Sequence, residues 1–435
     1  MTSSELETKD KITFVHGEDF ARKMDSEDNL RDFRSEFLIP RAADGKECLY
    51  FAGNSLGLQP NNAKKYIDEE LEDWAKLGVE GHWDARHPWL PYHEFLTEMS
   101  ARLVGALPIE VVVMNTLTVN LHLMMVSFYR PTKTRFKILI EQNTFPSDKY
   151  AVDSQAQFHG FNPQEAVIEQ KPRSGEATLR TEDILETIEK QGDSIALILF
   201  GQVNYLSGQA FDMEAIARAA HKKGCTVGFN LAHGAGNLLL KLHDFDVDFA
   251  VWCGYKYLNA GPGALAGCFV HERHSKQFDL PRFAGWWGHD KSSRFKMAPD
   301  YQPMPGAEGW QLSNPPIFQL AALRASLELF DKATMVALRA KSEKLTGYME
   351  FLLKSIPNEF VSIMTPADLR ARGAQLSTRV KGQPKKLLEH LQSHAAICDF
   401  REPDIIRVAP APLYNSFTDV YQFAGLVAEF AKQGG

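Results

Sequence analysis

The chain has 435 residues, of which 44% are hydrophobic and 24% charged. That is the composition of an ordinary soluble globular protein, too long for one core and suited to one large plus one small domain. The formal net charge of −7 leaves no basic footprint, which argues against nucleic acid as the main partner.

The first 45 or so residues read as a solvated lead-in with one short helix. ECLYFAGNSLGLQP (47–60) then gives a short apolar run and a turn segment. From Pro60 a helix is predicted, with Ala63, Tyr66, Ile67, Leu71, Trp74 and Ala75 on one face at helical spacing. GVEGHWDARHPWLPYHEF has no periodicity and reads as a loop. Between about residues 110 and 270, short apolar runs alternate with helical stretches such as Met213 to Lys223. The runs are Phe136 to Ile140, Ile195 to Phe200, Thr226 to Phe229 and Phe249 to Cys253. This alternation predicts an α/β domain built on a mostly parallel sheet, with ligands collecting at the C-terminal strand ends. After about Asp331 the pattern becomes helix, strand, helix, strand, helix. GAQLSTRV and DIIRVAP are the strands and KKLLEHLQSHAAI the helix between them. Ser416 followed by Asp419 resembles a capping box, and Val420, Phe423, Ala424 and Val427 share one face of the last helix. The predicted organisation is an N-terminal segment (1–59), a large domain (60–330) and a small α/β C-terminal domain (331–435).

No apolar run reaches membrane-spanning length, and MTSSELETKDK lacks the apolar core of a signal peptide. The five cysteines (Cys48, Cys225, Cys253, Cys268, Cys398) are scattered without CxxC spacing. Reduced thiols in a cytoplasmic protein are expected, with no metal site and no disulfide framework.

Four segments carry chemistry. In VDFAVWCGYKYLNAGPG an apolar strand ends in Gly254, Tyr255, Lys256 and Tyr257. A lysine there sits where an α/β sheet places its site, and burial among aromatics would lower its pKa as an imine-forming amine needs. A lone lysine beyond a strand is more often simply exposed. In TVGFNLAHGAG a second strand ends in Asn230 and His233, a histidine that by itself is more often structural. In MNTLTVNLHLMM, Leu117 and Thr118 open an apolar helix whose free N–H groups suit a phosphate, or else simply cap it. In NTFPSDKYA, Phe145, Ser147 and Asp148 follow the strand KILIE. There a ring could stack on a pyridine and an acid pair with its nitrogen.

Taken in this order, the segments resemble the kynureninase family of pyridoxal-5′-phosphate (PLP) enzymes. The match extends to GNSLGLQP, GWWGH, RFKM, LSNPP and IRVAPAPLYNS, and covers about residues 48 to 425. The resemblance implies the aspartate-aminotransferase fold type and, as activity, hydrolytic Cβ–Cγ cleavage of L-3-hydroxykynurenine or L-kynurenine in tryptophan catabolism and NAD biosynthesis. It implies that Lys256 is the Schiff-base lysine and proton carrier. Tyr255 then reaches the phosphate and assists the attacking water. Leu117 and Thr118 supply the helix-end phosphate site, Ser147 is a further cofactor-binding residue, Phe145 stacks on the ring, Asp148 lies near the pyridine nitrogen, and His233 adds a supporting contact. Trp286 and Asn314 match residues given by the neighbouring subunit, which implies a homodimer with shared active sites. Arg407 matches the clamp on the substrate carboxylate, a role suited to a guanidinium fork. Ser55 and His82 match residues at the aromatic end of the substrate. His82 with Ser313 and Asn314 resembles the animal-type pocket, which favours the 3-hydroxylated substrate.

Two positions depart from the family pattern. Asn230 stands where an acid is expected against the pyridine nitrogen, and Gly201 where animal members usually have serine. Asparagine supplies no charge. The missing charge-assisted bond is worth roughly 1.5–3 kcal/mol, or about one to two decades in rate. Asp148 compensates on this reading, and Asn230→Asp is expected to raise the rate. Two rivals follow: cysteine desulfuration on the same fold, which needs a cysteine in a mobile loop, and a PLP-binding homologue with weakened or lost activity.

Overall fold

A computed structural model describes residues 12–297, 299–357 and 359–433. Its centre is a seven-stranded sheet of β1 (Val111–Val113), β2 (Lys137–Glu141), β3 (Val167–Gln170), β4 (Ile195–Gly201), β5 (Thr226–Asn230), β6 (Phe249–Cys253) and β7 (Ala266–Val270). The spatial order is β1-β7-β6-β5-β4-β2-β3, and all neighbours are parallel except that β7 runs against both β6 and β1. The central strands are largely apolar because both faces are covered. Successive side chains go to opposite faces: Leu139, Ile198, Phe200, Val227 and Phe229 join one core, while Ile138, Ile140, Leu197 and Leu199 join the other.

The helices that frame the site and the C-terminal layer are α1 (Glu18–Ser26), α2 (Asn61–Leu77), α3 (Leu117–Phe128), α4 (Pro146–Phe158), α5 (Met213–Lys222), α6 (Ile317–Ala333), α7 (Met335–Lys354), α8 (Pro384–Ser393) and α9 (Phe417–Lys432). The C-terminal layer holds an antiparallel sheet of β8 (Val361–Ile363), β9 (Leu376–Val380), β10 (Asp399–Arg401) and β11 (Ile405–Val408) in the order β8-β9-β11-β10. Ser416 and Asp419 do form a reciprocal capping box at α9, whose Val420, Phe423, Ala424 and Val427 are buried.

Three expectations need correction. The lead-in is not solvated. Phe14 and Phe20 pack on Tyr348, Ala21 is fully buried, and Asp25 accepts the backbone N–H groups of Phe417 (2.6 Å) and Thr418 (3.1 Å) at the start of α9. The apolar face assigned to α2 is divided. Ala63, Glu70 and Asp73 are buried, whereas Leu71, Trp74 and Ala75 are exposed. Residues 78–96 are short helical turns, with Gly81 closed over by Trp89, so the aromatics of that stretch pack locally without a helical period.

Candidate active site

Three parallel strands end side by side: β2 in Glu141, β4 in Gly201 and β5 in Asn230. Above them lies a cavity of about 150 Å³. Its floor is formed by these strand ends and its walls by Leu117, Thr118, Phe145, Ser147, Asp148, Tyr205, His233, Tyr255 and Lys256. A larger groove of about 840 Å³ runs between α7 and α9, but nothing in it gathers nucleophiles or acids as the strand-end cavity does.

Lys256 is held by the turn after β6. Gly57 of the GNSLG loop donates its N–H to the Tyr255 carbonyl at 2.8 Å, and a Cβ on Gly57 would stand 2.3 Å from the Lys256 carbonyl oxygen, so only glycine fits there. Lys256 Nζ lies 3.1 Å from His233 Nε2 and 5.7 Å from the centroid of the Phe145 ring. Burial is the main cause of a lowered Lys256 pKa, with the nearby Arg407 and Arg401 charges adding to it. Burial also drives His233 well below its usual value, with the Lys256 charge acting in the same sense, so its imidazole is neutral. Burial pushes the Tyr255 phenol up to about 12.

At the opposite wall the N-terminal ends of α3 and α4 converge, and the hydroxyls of Thr118 and Ser147 are 3.0 Å apart. Two helix starts bearing two adjacent hydroxyls make an anion cradle. At the acidic end Asn230 donates to Asp148 Oδ2 at 2.7 Å, while Asp148 Oδ1 is buried without a partner. Burial raises the Asp148 carboxyl to about 6, opposed by the Asn230 hydrogen bond and the Lys256 charge.

Sequence reasoning missed Glu141. It is 2% exposed, its carboxyl receives the Gly201 N–H at 3.1 and 3.2 Å, and burial raises it to about 8. The signal was present: a carboxylate closing the apolar run KILIE, just as Asn230 closes TVGFN. Tyr205 was also missed; its ring meets Phe145 edge-on at 5.3 Å.

Other expected site residues lie outside this cavity. Arg407 on β11 is 1% exposed and donates to Asp399 and, at 2.7 Å, to the Tyr205 carbonyl. Ser55 and His82 are half-buried; His82 Nδ1 lies 2.9 Å from the Val79 carbonyl. Trp286 is 40% exposed, and Ser313 and Asn314 are exposed. These last three therefore do not join the cavity within one subunit.

Residues 338–427 match the kynureninase C-terminal domain. Over 420 residues the chain is 68% identical to the kynureninase of Myxococcus xanthus, covering 97% of this chain and 99% of that one. The chain belongs to the kynureninase family. The kynureninase of Nematostella vectensis is 50% identical over 448 residues, covering 98% and 96% of the two chains. Among solved structures, the apo cysteine desulfurase of Thermococcus onnurineus has a TM-score of 0.76 at 18% identity, covering 92% of this chain and 98% of that one. The Escherichia coli cysteine desulfurase CsdA has a TM-score of 0.75 at 16% identity, covering 93% and 98%. That likeness establishes the fold: a large α/β layer of the PLP-dependent aminotransferase type.

As a kynureninase the chain is a PLP-dependent hydrolase of carbon–carbon bonds. The residues present fit that cofactor. A buried amine of lowered pKa, a cradle of two helix starts and an unpartnered buried carboxyl oxygen face one cavity. Desulfuration lacks its cysteine among the described residues: Cys48, Cys225, Cys253 and Cys268 are buried, and Cys398 has its thiol pushed up to about 12 by burial.

Proposed function

We propose that the chain hydrolyses L-3-hydroxykynurenine and L-kynurenine, adding water across the Cβ–Cγ bond to release 3-hydroxyanthranilate or anthranilate and L-alanine. The proposed setting is tryptophan catabolism and NAD biosynthesis in the cytoplasm. The observation that carries this reading is Lys256, a depressed amine against a neutral histidine in a cavity that also holds an unpartnered carboxyl oxygen.

PLP, when bound, supplies the electron sink for the bond cleavage. The chain supplies orientation and protons. Lys256 Nζ, with its pKa lowered, is a base that can take the substrate's Cα proton and return it. Neutral His233 holds that amine in place through Nε2. Tyr255 keeps its proton at neutral pH and can orient the water that attacks the γ-carbonyl. Thr118 and Ser147 hold the phosphate end, and Phe145 offers a face to the ring. Arg407 is assigned the substrate carboxylate; the Asp399 pairing keeps its fork ready at the edge of the C-terminal layer.

Two active sites shared across a homodimer account for the residues that stay outside the cavity. Trp286 and Asn314 are assigned to the neighbouring subunit's site. Exposed Leu71, Trp74, Val79, Trp83 and Phe318 form an apolar surface of the kind a subunit interface covers. The match at His82, Ser313 and Asn314 supports preference for the 3-hydroxylated substrate.

The test is turnover of both substrates, side by side, with purified protein and excess PLP. Alanine formed in step with substrate loss, faster for 3-hydroxykynurenine, is the expected result. Asn230 favours one second reading, a PLP-binding homologue of weakened activity. Protein that binds PLP covalently yet forms no alanine from either substrate would establish that reading instead.

A further inference from the structure

The hydrogen bonds at the acidic end of the cavity fix which way Asn230 faces. Its Oδ1 accepts the backbone N–H of Ala232 at 2.8 Å, and its Nδ2 donates to Asp148 Oδ2 at 2.7 Å. A backbone N–H can only donate and a carboxylate oxygen can only accept. Turning the amide over would set donor against donor and acceptor against acceptor, so this orientation is the only satisfied one. Asn230 Oδ1 is thus already engaged by a backbone donor, and the amide brings no charge to a ring N–H. Asp148 can supply that charge: it lines the cavity, is 5% exposed, and its Oδ1 is buried without a partner.

We propose that in this chain Asp148 alone is the acid that meets the pyridinium N–H of PLP, and that Asn230 is a positioning residue that aims it. The geometry makes the assignment specific. One carboxyl oxygen is anchored by Asn230, which leaves the other, on a residue that lines the cavity, with lone pairs unused. The other carboxyl nearby does not compete. Both Glu141 oxygens lie against the single Gly201 N–H, on the strand ends beyond Asn230, and burial keeps Glu141 protonated near neutral pH. Asn230 thereby takes a part that a carboxylate could not take at 2.7 Å from Asp148 without a shared proton: it donates.

The proposal rests on the cavity being the PLP site, and its test separates the two. Apoprotein is titrated with PLP carrying an isotopically labelled ring nitrogen, with affinity and ring protonation read together and no substrate present. Wild type is expected to hold the ring nitrogen protonated near neutral pH. Asp148→Asn should weaken PLP binding about tenfold or more and leave the ring unprotonated. The exchange variant Asp148→Asn with Asn230→Asp should recover both, since it moves the acid across the same hydrogen bond. Asn230→Ala, which keeps Asp148, should weaken binding several-fold yet retain the ring proton. Ring protonation that survives Asp148→Asn, or is lost in Asn230→Ala, would overturn the proposal, as would an exchange variant that folds and recovers neither property. Wild type that fails to bind PLP at all would instead sink the assignment of the cavity.

Discussion

Asp248→Asn tests whether the sheet that carries the site is pinned from its far end. Asp248 stands one residue before β6, at the opposite edge of the sheet from Lys256, and is 5% exposed. Its carboxylate accepts from Arg273 Nη2 at 2.7 Å, the Val227 N–H at 2.8 Å, His274 Nε2 at 2.9 Å and His221 Nε2 at 3.0 Å. The cost of burying it is outweighed by these donors, and the group sits far below the usual carboxylate range. Asparagine keeps one acceptor, loses the charge and turns an N–H₂ toward groups that donate to the carboxylate in wild type. Breaking a buried pair in this way costs about 3–5 kcal/mol. For a chain of this length the unfolding entropy is roughly 0.9 kcal/mol per kelvin, so Tm should fall by about 3–5 °C. The pH dependence has a definite sign. Asp248, being depressed, contributes stability above its unfolded value near 4, and that is lost as pH falls. His221, raised chiefly by its bond to Asp248, contributes below its ordinary 6.5, and that is lost as pH rises through its folded value. The gap between wild type and variant should thus be widest between about pH 4 and 6.5 and narrow on both sides. Calorimetric scans across that range measure it. A variant within about 1 °C of wild type throughout would refute the reasoning, because the donors around a buried carboxylate cannot lose its charge and one of its oxygens at no cost.

Glu141→Gln should become more stable relative to wild type as pH rises from about 4.5 to about 8, because an acid raised by burial withdraws stability over that interval. A Tm difference that stays flat across the interval would count against a buried, protonated Glu141. Arg407→Lys should raise KM for the amino-acid substrate about tenfold or more, since a point charge replaces a fork already paired with Asp399; steady-state kinetics read it, and an unchanged KM would remove Arg407 from the substrate carboxylate. Trp74→Glu should leave the subunit folded, because Trp74 is 58% exposed, but should shift the protein toward monomer in analytical ultracentrifugation, with parallel loss of turnover. A variant that stays dimeric would place the interface elsewhere.

Much of this was legible in the sequence where burial dictates pattern. The strands Ile195–Gly201, Thr226–Asn230 and Phe249–Cys253 read directly as apolar runs, because a parallel sheet covered on both faces has no polar alternation to confuse them. The edge strand Val167–Gln170 was missed; only half-buried, it carries Glu169 and Gln170 and has no run to show. The exposed side of α2 was misread for a related reason: period alone cannot tell a core face from an apolar face left exposed, and Leu71 and Trp74 lie on the latter. Asp148, Lys256 and His233 were found by their places after strands. Glu141 escaped because a glutamate closing a strand looks solvated until the residue opposite it is known to lack a side chain.

That residue is Gly201, and its position links the two departures from the family pattern. In the sheet register Gly201 pairs with Asn230, so the missing side chain and the missing acid are cross-strand neighbours. Each touches a carboxyl: the Gly201 N–H meets Glu141, and the Asn230 amide meets Asp148. A Cβ at 201 would come within 2.9 Å of Glu141 Oε1, so a side chain there would push that carboxyl aside. An aspartate at 230 would set a second negative charge 2.7 Å from Asp148. The two residues present avoid both conflicts. Burial leaves Glu141 neutral while the Asn230 donor favours ionised Asp148, so the cavity would offer one carboxylate to a bound pyridinium. On the proposal above, the acid of the PLP site stands on the neighbouring helix, α4, rather than at the end of β5. On this argument residues 201 and 230 form a matched pair, and substitutions at the two should be non-additive, with a coupling of about 0.5–3 kcal/mol in PLP affinity.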